Sequence, residues 1–227
     1  SVEKLPLFKE GGFIVQGTGA ALAGHILNPQ PGMRVLDMAA APGGKTTHLA
    51  GLMKNQGEII ALDIYDHKLR LIDENCERLG IKNVKTLKQD SSTYSVDEKF
   101  DMVLLDAPCT GLGLIRQKPE IRWNKKKEDI NTLALIQLKM LKNAFKLLKK
   151  NGILLYSTCT LTQEENQSNI KKILDFYKNE LKIKDIKEDL NKLGLGEKFT
   201  AAKEGYLELF PPEDKTEGFF IAKLQKI

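Results

Sequence analysis

Phe100-Asp101-Met102-Val103-Leu104-Leu105-Asp106-Ala107-Pro108-Cys109-Thr110 and its echo, Ile153-Leu154-Leu155-Tyr156-Ser157-Thr158-Cys159-Thr160, decide how this chain is read. Each is a short apolar run of strand type that ends in a polar turn, and each turn delivers one cysteine. In an open α/β sheet, ligands and chemistry gather outside the carboxyl ends of the strands. Both sulfurs are therefore expected to face one cleft as partners in thiol chemistry.

Working outward, helix and strand alternate. The pattern predicts helices over 18–27, 46–55, 66–79, 128–148 and 164–179, and strands at 34–38, 58–63, 84–88, 100–106 and 152–157. Such alternation argues for a parallel sheet with right-handed crossovers and helices on both faces. Two late candidates, 206–210 and 218–224, are joined by Pro211-Pro212-Glu213-Asp214-Lys215 and read as an antiparallel hairpin added at the sheet edge. Residues 171–198 are rich in Lys and Glu and read as a solvated helical connection. No internal repeat or low-complexity tract interrupts the chain, so residues 1–227 are expected to form a single domain, with 1–30 as lead-in segment and first helix.

The bulk numbers narrow the class. A chain of 227 residues can bury a core without staples, and no apolar run approaches the roughly 18 residues that cross a bilayer. Three cysteines with no CxxC pair fit neither a disulfide framework nor a zinc site, so no metal is expected, and a reducing compartment, the cytoplasm, is implied. No basic n-region or apolar h-region follows Ser1, so no signal peptide is expected. A formal charge of +5 allows a phosphate-rich partner without demanding one.

Val35-Leu36-Asp37-Met38-Ala39-Ala40-Ala41-Pro42-Gly43-Gly44-Lys45-Thr46 runs from a strand through a small-residue loop into a helix, as where a ligand approaches the backbone closely. It is not a Walker A loop, because Ala39 stands where the first glycine belongs, and it lacks the alternate glycines of a dinucleotide site. Acids follow three successive strands: Asp63, placed for a ribose diol, Asp90, placed for an adenine edge, and Asp106. Alone, each reads equally as a cap or turn former. Together, after such a loop, they point to a nucleoside cofactor lacking phosphates, of which S-adenosylmethionine is the common one.

Four motifs in order, Ala40-Ala41-Pro42-Gly43-Gly44-Lys45-Thr46, Asp106-Ala107-Pro108-Cys109-Thr110-Gly111, Ser157-Thr158-Cys159-Thr160 and Glu217-Gly218-Phe219-Phe220-Ile221-Ala222, resemble the NOL1/NOP2/Sun family of RNA cytosine-5 methyltransferases over nearly the whole chain. The segment 113–123 is most similar to the bacterial ribosomal small-subunit methyltransferase B branch, the Sun-type proteins. The resemblance implies a class I, Rossmann-like S-adenosylmethionine-dependent methyltransferase fold, with about seven mostly parallel strands and a C-terminal antiparallel hairpin. It also implies methyl transfer to carbon 5 of a cytosine in RNA, with 16S rRNA expected and tRNA the alternative, by a monomer. The family often has cysteine at Ala39, and an acid and a small polar residue where Gly17-Thr18-Gly19 follow Gln16. Its N-terminal RNA-binding region is missing, so a catalytic core alone is expected.

Carbon 5 of cytosine is a poor nucleophile until a thiolate adds to carbon 6, and afterwards a proton must leave carbon 5 before the thiol is expelled. The residues alone give no ranking of the two cysteines; the resemblance makes Cys159 the nucleophile and Cys109 the aid to release. Lys45 is the nearest candidate for a positive neighbour to the nucleophile, or else an exposed first-turn lysine. The resemblance gives Asp106 the cytosine amine or a cofactor contact, and places the cofactor along Ala39, Ala40, Ala41, Pro42, Gly43, Gly44 and Lys45. Arg116, Lys118, Arg122, Trp123 and Lys125-Lys126-Lys127 could supply phosphate contacts and one stacking ring, although Trp123 reads equally as core. Cys76, in a helical pattern with Leu71, Ile72 and Leu79, reads as packing. Three rival readings are an amine methyltransferase, an inactive RNA-binding module and an NAD enzyme. The first is weakened by a thiol where an aromatic is usual, the second by intact motifs and the third by the wrong loop.

Overall fold

Successive residues of the central apolar runs turn to opposite faces of one sheet, and both faces are covered. Val35, Ile59, Leu104 and Leu155 join one buried cluster, while their neighbours Leu36, Ile60, Leu62, Val103, Leu105, Leu154 and Tyr156 join another. Strands buried on both sides read as unbroken apolar runs for this reason. The computed structural model describes residues 2–199 and 205–227. Its parallel strands are β1 (Arg34–Asp37), β2 (Glu58–Asp63), β3 (Val84–Lys88), β4 (Phe100–Asp106) and β5 (Leu148–Thr158). The antiparallel ones are β6 (Leu181–Ile183), β7 (Tyr206–Leu209) and β8 (Phe219–Lys226). The order is β3-β2-β1-β4-β5-β8-β6, with β7 also paired to β8.

Short helical turns, α1 (Pro6–Lys9), α5 (Ile121–Asn124) and α9 (Pro211–Asp214), flank the longer α2 (Thr18–Leu27), α3 (Gly44–Leu52), α4 (Asp66–Arg78), α6 (Lys127–Leu147), α7 (Gln167–Phe176) and the six-residue α8 (Lys187–Lys192). Leu22, Ile26 and Leu27 of α2, Leu49 of α3 and Leu190 of α8 pack on one face. Met140, Leu141 and Phe145 of α6 and Ile170 and Ile173 of α7 pack on the other. Each side chain of this size, removed from water, contributes about 2 kcal/mol, so the two layers dominate the stability of the sheet.

The expected sheet of about seven strands stands, with eight among the described residues. Three expectations are corrected. Residues 171–198 are not only a helical connection: they contain β6 and α8 as well as the end of α7. Ile173, Leu181, Ile186 and Leu190 of this segment are buried, and those anchors outweigh the surrounding lysines. The late hairpin is not simply added at the edge: β8 lies between β5 and the pair β6 and β7, with Phe220, Ile221 and Ala222 fully buried. Finally, β5 starts at Leu148, where a helix end was expected, because a register shift lets Leu148 pair with Phe100 before Ile153 pairs with Met102. The remaining differences are element ends, with α3 at Gly44–Leu52, α7 at Gln167–Phe176 and β8 at Phe219–Lys226, and the short α1, α5 and α9, which the pattern does not predict.

Candidate active site

At the carboxyl end of β1 the chain turns into α3, and two features shape the turn. Gly43 has φ +99°, and a Cβ there would stand 3.1 Å from the Ile72 Cα, so glycine suits both its conformation and its space. Asp37, buried at the end of β1, accepts a 2.7 Å hydrogen bond from Thr46 Oγ1 and a 3.4 Å one from the Ala39 N–H. Burial raises the Asp37 carboxyl to about 6, with Asp106 pushing the same way and Thr46, Lys45 and Ala39 opposing.

The strand ends enclose a cavity of about 690 Å³. Ala39, Ala41, Asp63, Asp90, Asp106, Cys109 and Cys159 all line it, so the expected cofactor and thiol residues converge on one space. Ala40, Pro42, Gly43, Gly44 and Lys45 do not line it. Ala40 is packed against Ile72, Leu69 and Ala61, while the Pro42 and Gly44 carbonyls accept from Asn75 and Gln16. The first part of the loop thus faces the cavity and the second part starts a helix. Asp63 accepts from the Tyr65 N–H at 3.0 Å and Asp90 from the Ser92 N–H at 2.8 Å. Both therefore form turns and line the cavity at once.

Opposite the loop, Cys109 Sγ and Cys159 Sγ stand 3.2 Å apart. Lys45 Nζ is 2.6 Å from Asp106 Oδ2, and Ser157 Oγ donates to Asp106 Oδ1 at 2.7 Å. Burial works to lower Lys45, but Asp106, Asp37 and Cys159 outweigh it and hold the ammonium above its usual range. The hydrogen bond between the thiols splits them. It lowers Cys159, helped by Lys45 against burial and Asp106, and it raises Cys109, reinforced by burial. Lys45 is thus neither a free first-turn lysine nor a dedicated partner of the thiol: its head is tied to Asp106.

Gly113 braces this wall from behind, its N–H donating to Cys159 O at 3.0 Å and its carbonyl accepting from Gly218 N at 2.9 Å. A Cβ at Gly113 would lie 2.2 Å from Gly218 O, so a larger residue cannot pass. The sequence does not single out Asp37, Ser157 or Glu165. Asp37 and Ser157 lie at the carboxyl ends of β1 and β5, where a strand-end pattern could find them; Glu165 carries no such signal. Trp123 is 81% exposed, so it is not core, and Arg116, Lys118, Arg122 and Lys125-Lys126-Lys127 are exposed with it. Cys76 is buried on α4, its thiol pushed to about 11 by burial and then Asp73, as suits packing.

A family model described as 16S rRNA methyltransferase RsmB/F matches residues 24–225. The chain belongs to that family. It is 38% identical over 228 residues to the tRNA (cytosine(72)-C(5))-methyltransferase of Pyrococcus horikoshii, covering 100% of this chain and 56% of the relative. It is 38% identical over 225 residues to the probable ribosomal RNA small subunit methyltransferase B of Bacillus subtilis, covering 96% and 49%. It also superposes on the crystal structure of NSun6 from Pyrococcus horikoshii with SFG, at TM-score 0.86 and 36% identity, over 100% of this chain and 56% of that one. The chain spans about half the length of these curated relatives. Its sheet is the Rossmann-like fold of S-adenosylmethionine-dependent methyltransferases, five parallel strands carrying antiparallel ones at the C-terminal side. Among the described residues no helix is long and apolar enough to cross a membrane.

Proposed function

We propose that this chain transfers a methyl group from S-adenosylmethionine to carbon 5 of a cytosine in RNA, with 16S rRNA the first substrate to test and tRNA the second. The observation that carries the reading is the pair of sulfurs 3.2 Å apart on the wall of the cavity that Asp63 and Asp90 also line. A nucleoside fits that cavity: Asp63, which holds the Tyr65 N–H, and Asp90, which holds the Ser92 hydroxyl and N–H, have lone pairs left to accept more, and Ala39 and Ala41 let a ligand close on the backbone. When bound there, S-adenosylmethionine supplies the electrophilic methyl group.

The chain's own groups do the rest. Cys159, its thiolate favoured by the Cys109 S–H and the Lys45 charge, adds to carbon 6 and makes carbon 5 nucleophilic. Cys109 retains its proton while Cys159 is the thiolate; that proton can pass to the departing Cys159 sulfur, and the Cys109 thiolate so left can take the carbon 5 proton, which balances the elimination. Asp106, oriented by Lys45 and Ser157, has lone pairs left to accept the cytosine amine; uracil presents an oxygen there and is rejected. The exposed Trp123 and the cations near it supply a stacking ring and phosphate contacts for a base taken out of the stack. The reading takes the protein as a monomer, and two working thiols need the reducing cytoplasm.

Incubating the chain with methyl-labelled S-adenosylmethionine and either 16S rRNA or tRNA, followed by bisulfite sequencing, tests the reading. Label at carbon 5 of a cytosine is expected. Label on an exocyclic amine would favour an amine methyltransferase, and no label on either RNA would contradict the proposal.

A further inference from the structure

Glu165 is fully buried behind the two cysteines, and it does not line the cavity. Its carboxylate is fully occupied by donors from three other parts of the chain. Oε1 accepts from the Thr110 N–H at 2.9 Å and from Gln137 Nε2 of α6 at 2.9 Å. Oε2 accepts from Thr110 Oγ1 at 2.6 Å and Thr162 Oγ1 at 2.7 Å. A buried carboxylate is tolerable only when its lone pairs are met in this way.

The contacts bracket both thiols. Thr110 follows Cys109, and Pro108, which precedes it, gives its carbonyl to Gln137 Nε2 at 2.9 Å. Thr160 follows Cys159, and its hydroxyl stands 2.8 Å from that of Thr110. Asn166, next to Glu165, completes the second bracket: it accepts from Thr158 Oγ1 at 2.6 Å and donates to Thr160 O at 3.0 Å. The dipeptide is held from β5 as well, since Tyr156 Oη donates to Glu165 O at 2.7 Å. One buried acid therefore ties the turn after β4 to the turn after β5.

We infer that Glu165 is a positioning residue, which sets the contact between Cys109 and Cys159 through Thr110 and the loop from Thr160 to Thr162. The inference rests on the reading of those cysteines as the reacting thiols. Its action is hydrogen-bond geometry and not proton transfer, because Thr110 stands between its carboxylate and the sulfurs. Glutamine can take the same place: its oxygen keeps the Thr110 N–H and Gln137, and both threonine hydroxyls can turn to accept from its amide. Alanine leaves the Thr110 N–H and the Thr162 hydroxyl unpaired in a dry space, and Gln137 and the Thr110 hydroxyl keep only Pro108 and Thr160.

The test reads the thiols directly. Iodoacetamide labelling of Cys109 and Cys159 is followed by mass spectrometry against pH in the parent, Glu165→Gln and Glu165→Ala, with thermal denaturation reporting the fold and kcat and KM measured for methyl transfer. In Glu165→Ala, Cys159 should label about tenfold more slowly at neutral pH as its thiolate loses the Cys109 donor. Its kcat should fall about 100-fold, the scale for displaced reacting groups, while the cofactor KM stays within about twofold. Glu165→Gln should stay within about threefold of the parent on both readouts. A folded Glu165→Ala variant with the parent's labelling profile and kcat would overturn the inference, and so would a Glu165→Gln variant as impaired as alanine. If Glu165→Ala does not fold, Thr110→Val, which removes only the hydroxyl link, must slow Cys159 labelling, and an unchanged profile there overturns the inference. Because labelling needs no RNA, a parent that methylates nothing would sink the proposed function while the thiol profile still decides the role of Glu165.

Discussion

The two sides of the cavity are built on different plans. On the thiol side Asp106, Ser157, Thr110, Thr160 and Glu165 hold one another by side-chain hydrogen bonds, and Ser157, Thr110, Thr160 and Glu165 are buried. On the side of Asp63 and Asp90 each carboxylate accepts, among the described residues, a backbone N–H of its own turn, and Asp90 is exposed. The first arrangement fixes atoms before any substrate arrives, which is what a reaction between placed groups requires. The second leaves lone pairs for a ligand to use. Under the proposed function, the difference gives chemistry to one wall and recognition to the other.

Substitutions on the two walls should accordingly fail in different ways. The largest effect is expected for Cys159→Ala, where labelled methyl transfer should fall to the uncatalysed background while calorimetry shows cofactor affinity within about twofold of the parent. A parallel loss of affinity would blur the two walls into one.

Next comes the acid beneath the loop. Asp37 has a carboxyl raised from 3.8 to about 6, mainly by burial, so the folded state holds its proton more tightly than the unfolded one. Stability must then decline as pH rises through the window from about 4 to about 6, by a total of about 3 kcal/mol from this group. Asp37→Asn removes that slope. Urea denaturation should show the variant gaining about 2 kcal/mol relative to the parent between pH 4 and pH 7.5, and a pH-independent difference would refute the assignment.

On the open wall, Asp63→Ala should weaken S-adenosylmethionine binding by about 1 to 3 kcal/mol, with turnover at saturating cofactor close to the parent. Unchanged affinity in calorimetry would remove Asp63 from the site. The smallest effect is expected outside both walls. Trp123 is the single tryptophan, so its fluorescence reports on RNA directly; quenching on RNA addition and a loss of about 1 kcal/mol in Trp123→Ala would support stacking there.

Much of this arrangement is legible in the sequence, for physical reasons that differ by element. β1, β2, β4 and β5 are apolar on both faces, and turn residues follow them, so local pattern suffices to find them. β6 escapes because it is three residues long with only Leu181 buried, and the interior place of β8 depends on pairing with partners far along the chain. The two cysteines and Asp63, Asp90 and Asp106 could be read because each follows a strand. Glu165 could not. At the head of a helix an acid normally faces water, and its buried role depends on Thr110, Gln137 and Thr162, which only the fold brings to it.

The division of labour between the sulfurs is the central claim, and a denaturing gel of protein mixed with RNA and S-adenosylmethionine tests it most directly. Cys109→Ala should attack and methylate once, then accumulate a protein–RNA adduct that survives denaturation, and adding Cys159→Ala to that variant should abolish the band. A stable adduct with Cys159→Ala and none with Cys109→Ala would contradict the assignment.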